Sequence, residues 1–182
     1  RIKIYYLRIE GSASMDLKKK IRNVSDFPEP GILFRDITPI LKDPKAFSYV
    51  AEKFAEIFPK KSFDMVAGIE SRGFIFGAAL AAKTGKGFII IRKQGKLPGE
   101  TIAKQYDIEY GSATMEIQKD AVRKGDRVLI IDDLLATGGT AQAAAHLIEK
   151  LGGKVVGVGV VIELAMLKGM KKLSKYNAKT LV

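Results

Sequence analysis

The chain has 182 residues and a mass of 19.9 kDa, with 47% hydrophobic and 28% charged residues. That is enough apolar material for one domain with its own core, and too much for global disorder. It has no cysteine, which excludes a disulfide framework, a thiolate metal site and a cysteine nucleophile; its one histidine, His146, argues against a His-rich metal centre or a serine–histidine triad.

The formal charge is +11, and the excess lies in residues 1–24, 86–104 and 168–182. Such a balance points to an anionic partner, either nucleic acid or a phosphorylated small molecule. At the two ends a lysine-rich solubilising surface is the favoured account. No apolar run reaches the ~18 residues of a membrane-spanning helix.

Residues 1–14 precede Met15 and close on Gly11-Ser-Ala-Ser14. They read as a linker-like N-terminal extension in which Ile2–Ile9 could pair as an edge strand. They lack the apolar run and cleavage site of a secretory signal, so the expected location is cytoplasmic. Residues 15–182 then form the single domain. A short amphipathic helix is expected over 16–23. Asp26-Phe-Pro-Glu-Pro-Gly31 is a rigid turn, because two prolines and a glycine restrict its backbone. Ile32–Ile37 is a short strand or extended loop. Pro44–Phe58 is a helix with proline in its first turn and an apolar stripe of Phe47, Val50, Phe54 and Ile57–Phe58.

From there strands and helices alternate. Asp64–Ile69 is a buried strand, Glu70-Ser-Arg72 a loop, and Gly73 to about Lys83 an Ala-rich helix. Gly87–Arg92 is a strand, and Lys93–Lys104 a long mobile loop. Tyr106–Tyr110 and Ala113–Ile117 alternate about a Gly111-Ser112 turn, which predicts a β-hairpin. Arg127–Ile131 is a buried strand that stops at Asp132-Asp133. A helix follows over about Gly139–Leu151, then a strand over Lys154–Ile162 and a short helix near 165–173. The pattern predicts an α/β fold with a doubly wound, mainly parallel sheet, whose ligands bind at the carboxyl ends of the strands. Gly157 and Gly159 lie mid-strand, where close packing explains them.

The chemistry concentrates in Asp132-Asp-Leu-Leu-Ala-Thr-Gly-Gly-Thr140. An apolar strand ends at two acids, and a Thr-Gly-Gly-Thr turn then opens a helix. Free backbone N–H groups, two hydroxyls and a positive helix end make that turn a seat for a phosphate monoester. The glycines let the backbone close around an anion without Cβ clashes. Like charge keeps the acids off the phosphate, but they can accept hydrogen bonds from vicinal hydroxyls. A phosphate beside a diol describes a ribose 5-phosphate. Thr140 could instead be only a helix cap, and the acids only a solvated turn. A Walker loop is excluded because Gly-Lys-Ser/Thr is missing.

Two acids followed by Ala136-Thr-Gly-Gly-Thr140 resemble the phosphoribosyl-diphosphate motif of type I phosphoribosyltransferases. The match extends to that family's adenine-specific members. Phe27-Pro-Glu-Pro-Gly-Ile-Leu-Phe-Arg-Asp-Ile-Thr-Pro39 is similar to their purine-side segment. Gly68-Ile-Glu-Ser-Arg-Gly-Phe-Ile-Phe-Gly77 is similar to their diphosphate loop, and Ile91-Arg-Lys-Gln-Gly-Lys-Leu-Pro-Gly99 to their flexible loop. Leu164 and Leu167-Lys-Gly169 fit their C-terminal part.

The resemblance implies a small hood formed by about residues 15–40 and a flexible β-hairpin loop. It implies adenine salvage: the 5-phosphoribosyl group of 5-phosphoribosyl 1-diphosphate passes to N9 of adenine, giving AMP and diphosphate. Magnesium would be carried mainly by substrate, with no protein metal cage. A homodimer is expected, with neither nucleic acid nor membrane as partner.

Residue by residue, the resemblance assigns Asp132, Asp133, Ala136, Thr137, Gly138, Gly139 and Thr140 to the phosphoribosyl group. It assigns Arg72, Arg92, Lys93 and Lys96 to the diphosphate, and leaves open whether the loop cations act from their own or the neighbouring subunit. Glu70 and Ser71 form the diphosphate loop, often through a cis peptide. Leu33, Phe34 and Arg35 would hold adenine, through main-chain groups and the Phe34 ring. Glu109 would be the acid/base at adenine N7, chosen over Glu116 because the family glutamate immediately precedes a tyrosine.

Each assignment has a plainer reading. The loop cations could be a solvated charged loop, Glu109 an exposed strand residue, and Leu33 and Phe34 core packing. Two other functions compete: a phosphoribosyltransferase for hypoxanthine/guanine, xanthine or orotate, and a non-enzymatic regulator that senses phosphoribosyl diphosphate. His146 is expected to be structural.

Overall fold

The computed structural model describes residues 15–108 and 111–182. The expectations for residues 1–14 and for Glu109 lie outside the described residues. The described chain forms two compact units, which meet in sequence at Tyr49/Val50.

In the first unit, Asp16 caps a 3₁₀ turn over Leu17–Lys20 by accepting the Lys18 N–H. Strand β1 (Arg22–Ser25) pairs antiparallel with β2 (Leu33–Asp36). The helix expected over 16–23 is therefore a single tight turn followed by a strand. The strand prevails because Arg22 has a cross-strand partner: its Nε donates to Asp36 Oδ2 at 2.8 Å. Between the strands, Phe27–Pro28 is cis, and Asp26 accepts the Gly31 N–H at 2.7 Å. A short helix, α1 (Thr38–Lys42), is not expected from the sequence; α2 (Pro44–Ile57) follows it, and the boundary between the units falls within α2.

In the second unit the strands are β3 (Met65–Ile69), β4 (Gly87–Lys93), β5 (Thr101–Ile108), β6 (Gly111–Gln118), β7 (Arg127–Leu135), β8 (Lys154–Glu163) and β9 (Ala178–Thr180). The helices are α3 (Arg72–Thr84), α4 (Gly139–Lys150) and α5 (Gly169–Lys172). Among the described residues one seven-stranded sheet forms, in the order β5-β6-β4-β3-β7-β8-β9. The β4-β3-β7-β8-β9 ladder is parallel; β6 pairs antiparallel with both β4 and β5.

Side-chain alternation explains the two covered faces. Ala67, Ile69, Val128, Ile130, Val158 and Val160 pack in one cluster with Ala141, Ala144, Ala145 and Ile148 of α4. On the other face, a Cβ at Gly157 would meet Phe58, and one at Gly159 would meet Phe54. Those two glycines are thus packing residues, as expected.

Three boundaries differ from expectation. The loop after β4 ends at Glu100, because Thr101–Ile108 is a strand in register with Gln118–Gly111. Its mixed composition hid it: Ile102 and Tyr106 pack on the core while Ala103, Gln105 and Asp107 are exposed, as suits an edge strand. Gly111 and Ser112 lie in β6 and are not the turn, since Gly111 pairs with Ile108. Finally, β7 does not stop at Ile131 but runs through both acids to Leu135.

Candidate active site

The ladder between β3 and β7 ends at Gly68–Ile131, whereas β7 continues against β8 as far as Leu135–Glu163. β7 therefore overhangs β3, and Asp132 and Asp133 lie just past the carboxyl end of that ladder. This is the crevice where a doubly wound sheet binds its ligands. The first turn of α3 seals one side: a Cβ at Gly73 would stand 2.7 Å from Asp132 Oδ1 and 2.9 Å from the Ile131 carbonyl oxygen. Only glycine permits that approach.

Asp132 and Asp133 are 9% and 4% exposed. Arg72 Nε stands 2.9 Å from Asp133 Oδ2, and Asp132 Oδ1 accepts the Asp133 N–H at 2.9 Å. Burial pushes both carboxyls above the usual range; the Asp133 charge adds to the rise at Asp132, while Arg72 counters it at Asp133. Two close buried carboxyls, with one cation on Asp133, form an oxygen-rich pair suited to hydroxyl donors or a hard cation.

Beyond β7, Gly138 takes φ +82° and serves as N-cap to α4, with no side chain capping the helix. Thr140 therefore lies inside the first turn and is not its cap. The orphan N–H groups of that turn remain for another acceptor. Asp132, Ala136, Thr137, Gly138 and Thr140 line a cavity of about 130 Å³ here. A positive helix end over a glycine turn is an anion seat.

The third group of residues gathers on Glu70, at the end of β3. The Glu70–Ser71 peptide is cis, as the resemblance implied. The Glu70 side chain is 8% exposed; it accepts from the Lys93 N–H at 2.9 Å, from Arg92 Nε at 3.3 Å and from Lys96 Nζ at 2.5 Å. Arg92 Nη1 also donates to the Lys96 carbonyl at 3.0 Å. The structure thus brings Arg92 and Lys96 together with Glu70, while Arg72 belongs to the acid pair. The Lys93 side chain is outside this cluster's bonds, and Ser71 is exposed.

Leu33, Phe34 and Arg35 lie on β2. Leu33 is 46% exposed, so it is not a core residue. The Phe34 ring meets Phe27 edge-on at 5.1 Å, and Arg35 donates to Asn23. His146 is exposed on α4, in a groove with Tyr106 and Tyr176. Sequence reasoning missed Gly73 and Gly169 as close-approach positions, and gave Glu116 only the part of rival base. Glu116 is 4% exposed between the buried Met115 and Ile117; a charge inside an apolar strand was the available signal.

Residues 36–181 match the family described as phosphoribosyl transferase domain. The adenine phosphoribosyltransferase of Nitrosopumilus maritimus is 58% identical over 168 residues, covering 92% of this chain and 99% of that protein. Among solved structures, the adenine phosphoribosyltransferase of Thermoanaerobacter pseudethanolicus is 52% identical with TM-score 0.88, covering 91% of this chain and 96% of that one. The Saccharomyces cerevisiae enzyme, complexed with an imino-altritol bisphosphate and adenine, is 44% identical with TM-score 0.85, covering 91% and 96%. With β7 overhanging its neighbour, an uncapped glycine turn beside it and these relatives along almost the whole chain, the protein belongs to the adenine phosphoribosyltransferases of the type I phosphoribosyltransferase family.

Proposed function

We propose that the chain makes AMP and diphosphate from adenine and 5-phosphoribosyl 1-diphosphate in the crevice at the carboxyl ends of β3, β4 and β7. The observation that carries this reading is the uncapped start of α4 beside two buried carboxylates. In this reading residues 15–182 are one transferase domain whose segment 15–40 supplies the purine-side hood.

The amides and hydroxyls of Ala136–Thr140 hold the 5′-phosphate. Asp132 and Asp133 accept hydrogen bonds from the ribose 2′- and 3′-hydroxyls. The diphosphate meets the Glu70–Ser71 loop and the cations Arg72, Arg92, Lys93 and Lys96, with Arg92 and Lys96 exchanging the Glu70 carboxylate for the ligand. Main-chain groups of Leu33 and Arg35 pair with adenine N1 and N6, and Phe34 packs on the ring. The N9–C1′ bond forms as the C1′–oxygen bond breaks and its electron pair leaves with diphosphate. Glu109 hydrogen-bonds N7 and manages the adenine proton. Closure of the loop excludes water, which would otherwise capture the cation-like ribosyl centre.

Asp132 and Asp133 are hard oxygen donors, and among the described residues no three of His, Cys, Asp or Glu form a metal-holding group. Two carboxylates joined to substrate oxygens are the ordinary protein share of a magnesium site, so the residues fit a magnesium ion that arrives with the substrate. When bound, magnesium neutralises part of the diphosphate charge.

A homodimer fits the half-exposed Ile75 of α3 and Ile90 of β4, and light scattering of the purified chain checks it. Among the described residues no helix is long and apolar enough to cross a membrane, and we read the enzyme as cytoplasmic. Steady-state assay with each purine base, phosphoribosyl diphosphate and magnesium tests the whole reading. Turnover with adenine alone is expected. Turnover with another base moves the specificity elsewhere in the family, and none with any base defeats the reading.

A further inference from the structure

The loop between β4 and β5 carries Lys96, and its backbone is tied to β6. At its start the Gln94 N–H donates to the Thr114 carbonyl at 3.0 Å; at its end the Lys119 N–H donates to the Glu100 carbonyl at 2.9 Å. In its middle, Gln118 Nε2 donates to the Pro98 carbonyl at 3.1 Å and Arg92 Nη1 to the Lys96 carbonyl, while a single carboxylate takes the loop's amides. Glu116 Oε1 accepts the Lys96 N–H at 3.0 Å and the Leu97 N–H at 2.9 Å, while Oε2 takes the Thr101 hydroxyl at 3.4 Å. Consecutive amides converging on one anion form a nest.

Glu116 stands opposite Arg92 in the β4–β6 register and opposite Ala103 in the β5–β6 register. A carboxylate this buried would be costly without partners. Burial by itself raises its pKa, but the bonds from the Leu97, Gly95 and Lys96 amides outweigh that and hold it below the ordinary range. It is therefore ionised at neutral pH. The Lys96 residue is gripped at both ends, its N–H by Glu116 and its carbonyl by Arg92 Nη1. Its ammonium is thereby held at the end of β3, on Glu70.

From this geometry we infer that Glu116 is a positioning residue for diphosphate recognition: it fixes the loop backbone so that Lys96 and Arg92 are presented together to the ligand. The inference rests on assigning those cations to the diphosphate. Glu116 and Glu70 differ in what the ligand does to them. Glu70 binds the cationic groups themselves and is displaced by an incoming anion. Glu116 binds only amides and a hydroxyl, so its hold persists when the cations turn to diphosphate. Preorganisation of this kind raises affinity by removing the ordering cost from the binding step.

The test is calorimetric titration of the full chain with magnesium diphosphate and, separately, with AMP. Glu116→Gln keeps the shape and removes the charge. Leu97→Pro removes one donor from the exposed loop and leaves the core untouched, so it decides the matter alone should Glu116→Gln not fold. Each variant is expected to bind diphosphate about tenfold more weakly, the scale of a charge-assisted hydrogen bond, with AMP affinity unchanged. The KM for phosphoribosyl diphosphate should rise in step. Unchanged diphosphate affinity overturns the inference, and so does an equal loss for both ligands, which a general disruption would give. Failure of the unmutated chain to bind diphosphate overturns the underlying cation assignment, and is visible before any variant is made.

Discussion

Gly138 is packed so closely on Gly169 that a Cβ added to it would stand 2.7 Å from the Gly169 carbonyl oxygen. The relationship is mutual, because a Cβ on Gly169 would collide with the Ala136 carbonyl and lie 3.1 Å from the Gly138 nitrogen. The start of α5 thus buttresses the glycine turn proposed to seat the phosphate. Gly138→Val should abolish AMP binding, through this collision and the positive φ rather than through a side chain filling the phosphate seat. Gly169→Ala, which alters no proposed ligand contact, should weaken AMP and destabilise the fold by about 1–3 kcal/mol, as overpacking does. Calorimetry and thermal denaturation read both effects. Normal AMP affinity in Gly169→Ala would disconnect α5 from the turn.

In its proposed role the acid pair trades stability for binding. Asp132 has a carboxyl pKa raised by burial and by the Asp133 charge. An acid with a raised folded pKa costs stability as pH climbs above its unfolded value of about 3.9. Asp132→Asn keeps an oxygen for the Asp133 N–H and removes the buried charge. Without ligand, the variant should melt above the parent at pH 7, and the gap should close as pH falls below about 4. Its affinity for ribose 5-phosphate should drop. A lower melting point at pH 7 would mean that the charge is already compensated.

The alternation that sets the sheet was readable because its central strands are apolar throughout and its helices carry alanine or aromatic stripes. The turn that opens α4 was readable for a different reason: paired glycines flanked by hydroxyl residues end one element and start the next. What stayed hidden depends on partners distant in sequence. β5 looks like a loop until Ile102 meets Ile117. Arg22 looks helical until Asp36 takes its guanidinium. Glu116 looks like any strand glutamate until Lys96 and Leu97 turn their amides to it, and Gly73 is unremarkable until Asp132 lies against it.

Glu70 predicts an acid-sensitive loop. Burial alone would raise its carboxyl, but Lys96, the Lys93 amide and Arg92 draw it down from 4.5 to about 2. A depressed folded pKa contributes stability that is complete above the unfolded value and is lost as pH falls through the folded one. The stability difference between the parent and Glu70→Gln should therefore be full at pH 6 and shrink from about pH 4.5 toward pH 2. Denaturation at a series of pH values measures it. A difference independent of pH would show that the three bonds do not require the ionised form.

Glu109→Gln should cut kcat by about 10²-fold or more, the scale of a lost general acid/base, while KM for phosphoribosyl diphosphate stays near the parent value. In the proposed role a glutamine would keep a hydrogen-bonding group for N7 but could not take up and return a proton. The sequence offered Glu116 as a rival for this role. Its carboxylate is committed, one oxygen to two amides and the other to Thr101, and it is held ionised, so no oxygen is left to shuttle a proton. Steady-state kinetics should separate the two residues: a lower kcat is expected for Glu109→Gln and a higher KM for Glu116→Gln. Parent-like turnover in Glu109→Gln would leave proton transfer to solvent or to the base itself, since Glu116 cannot supply it.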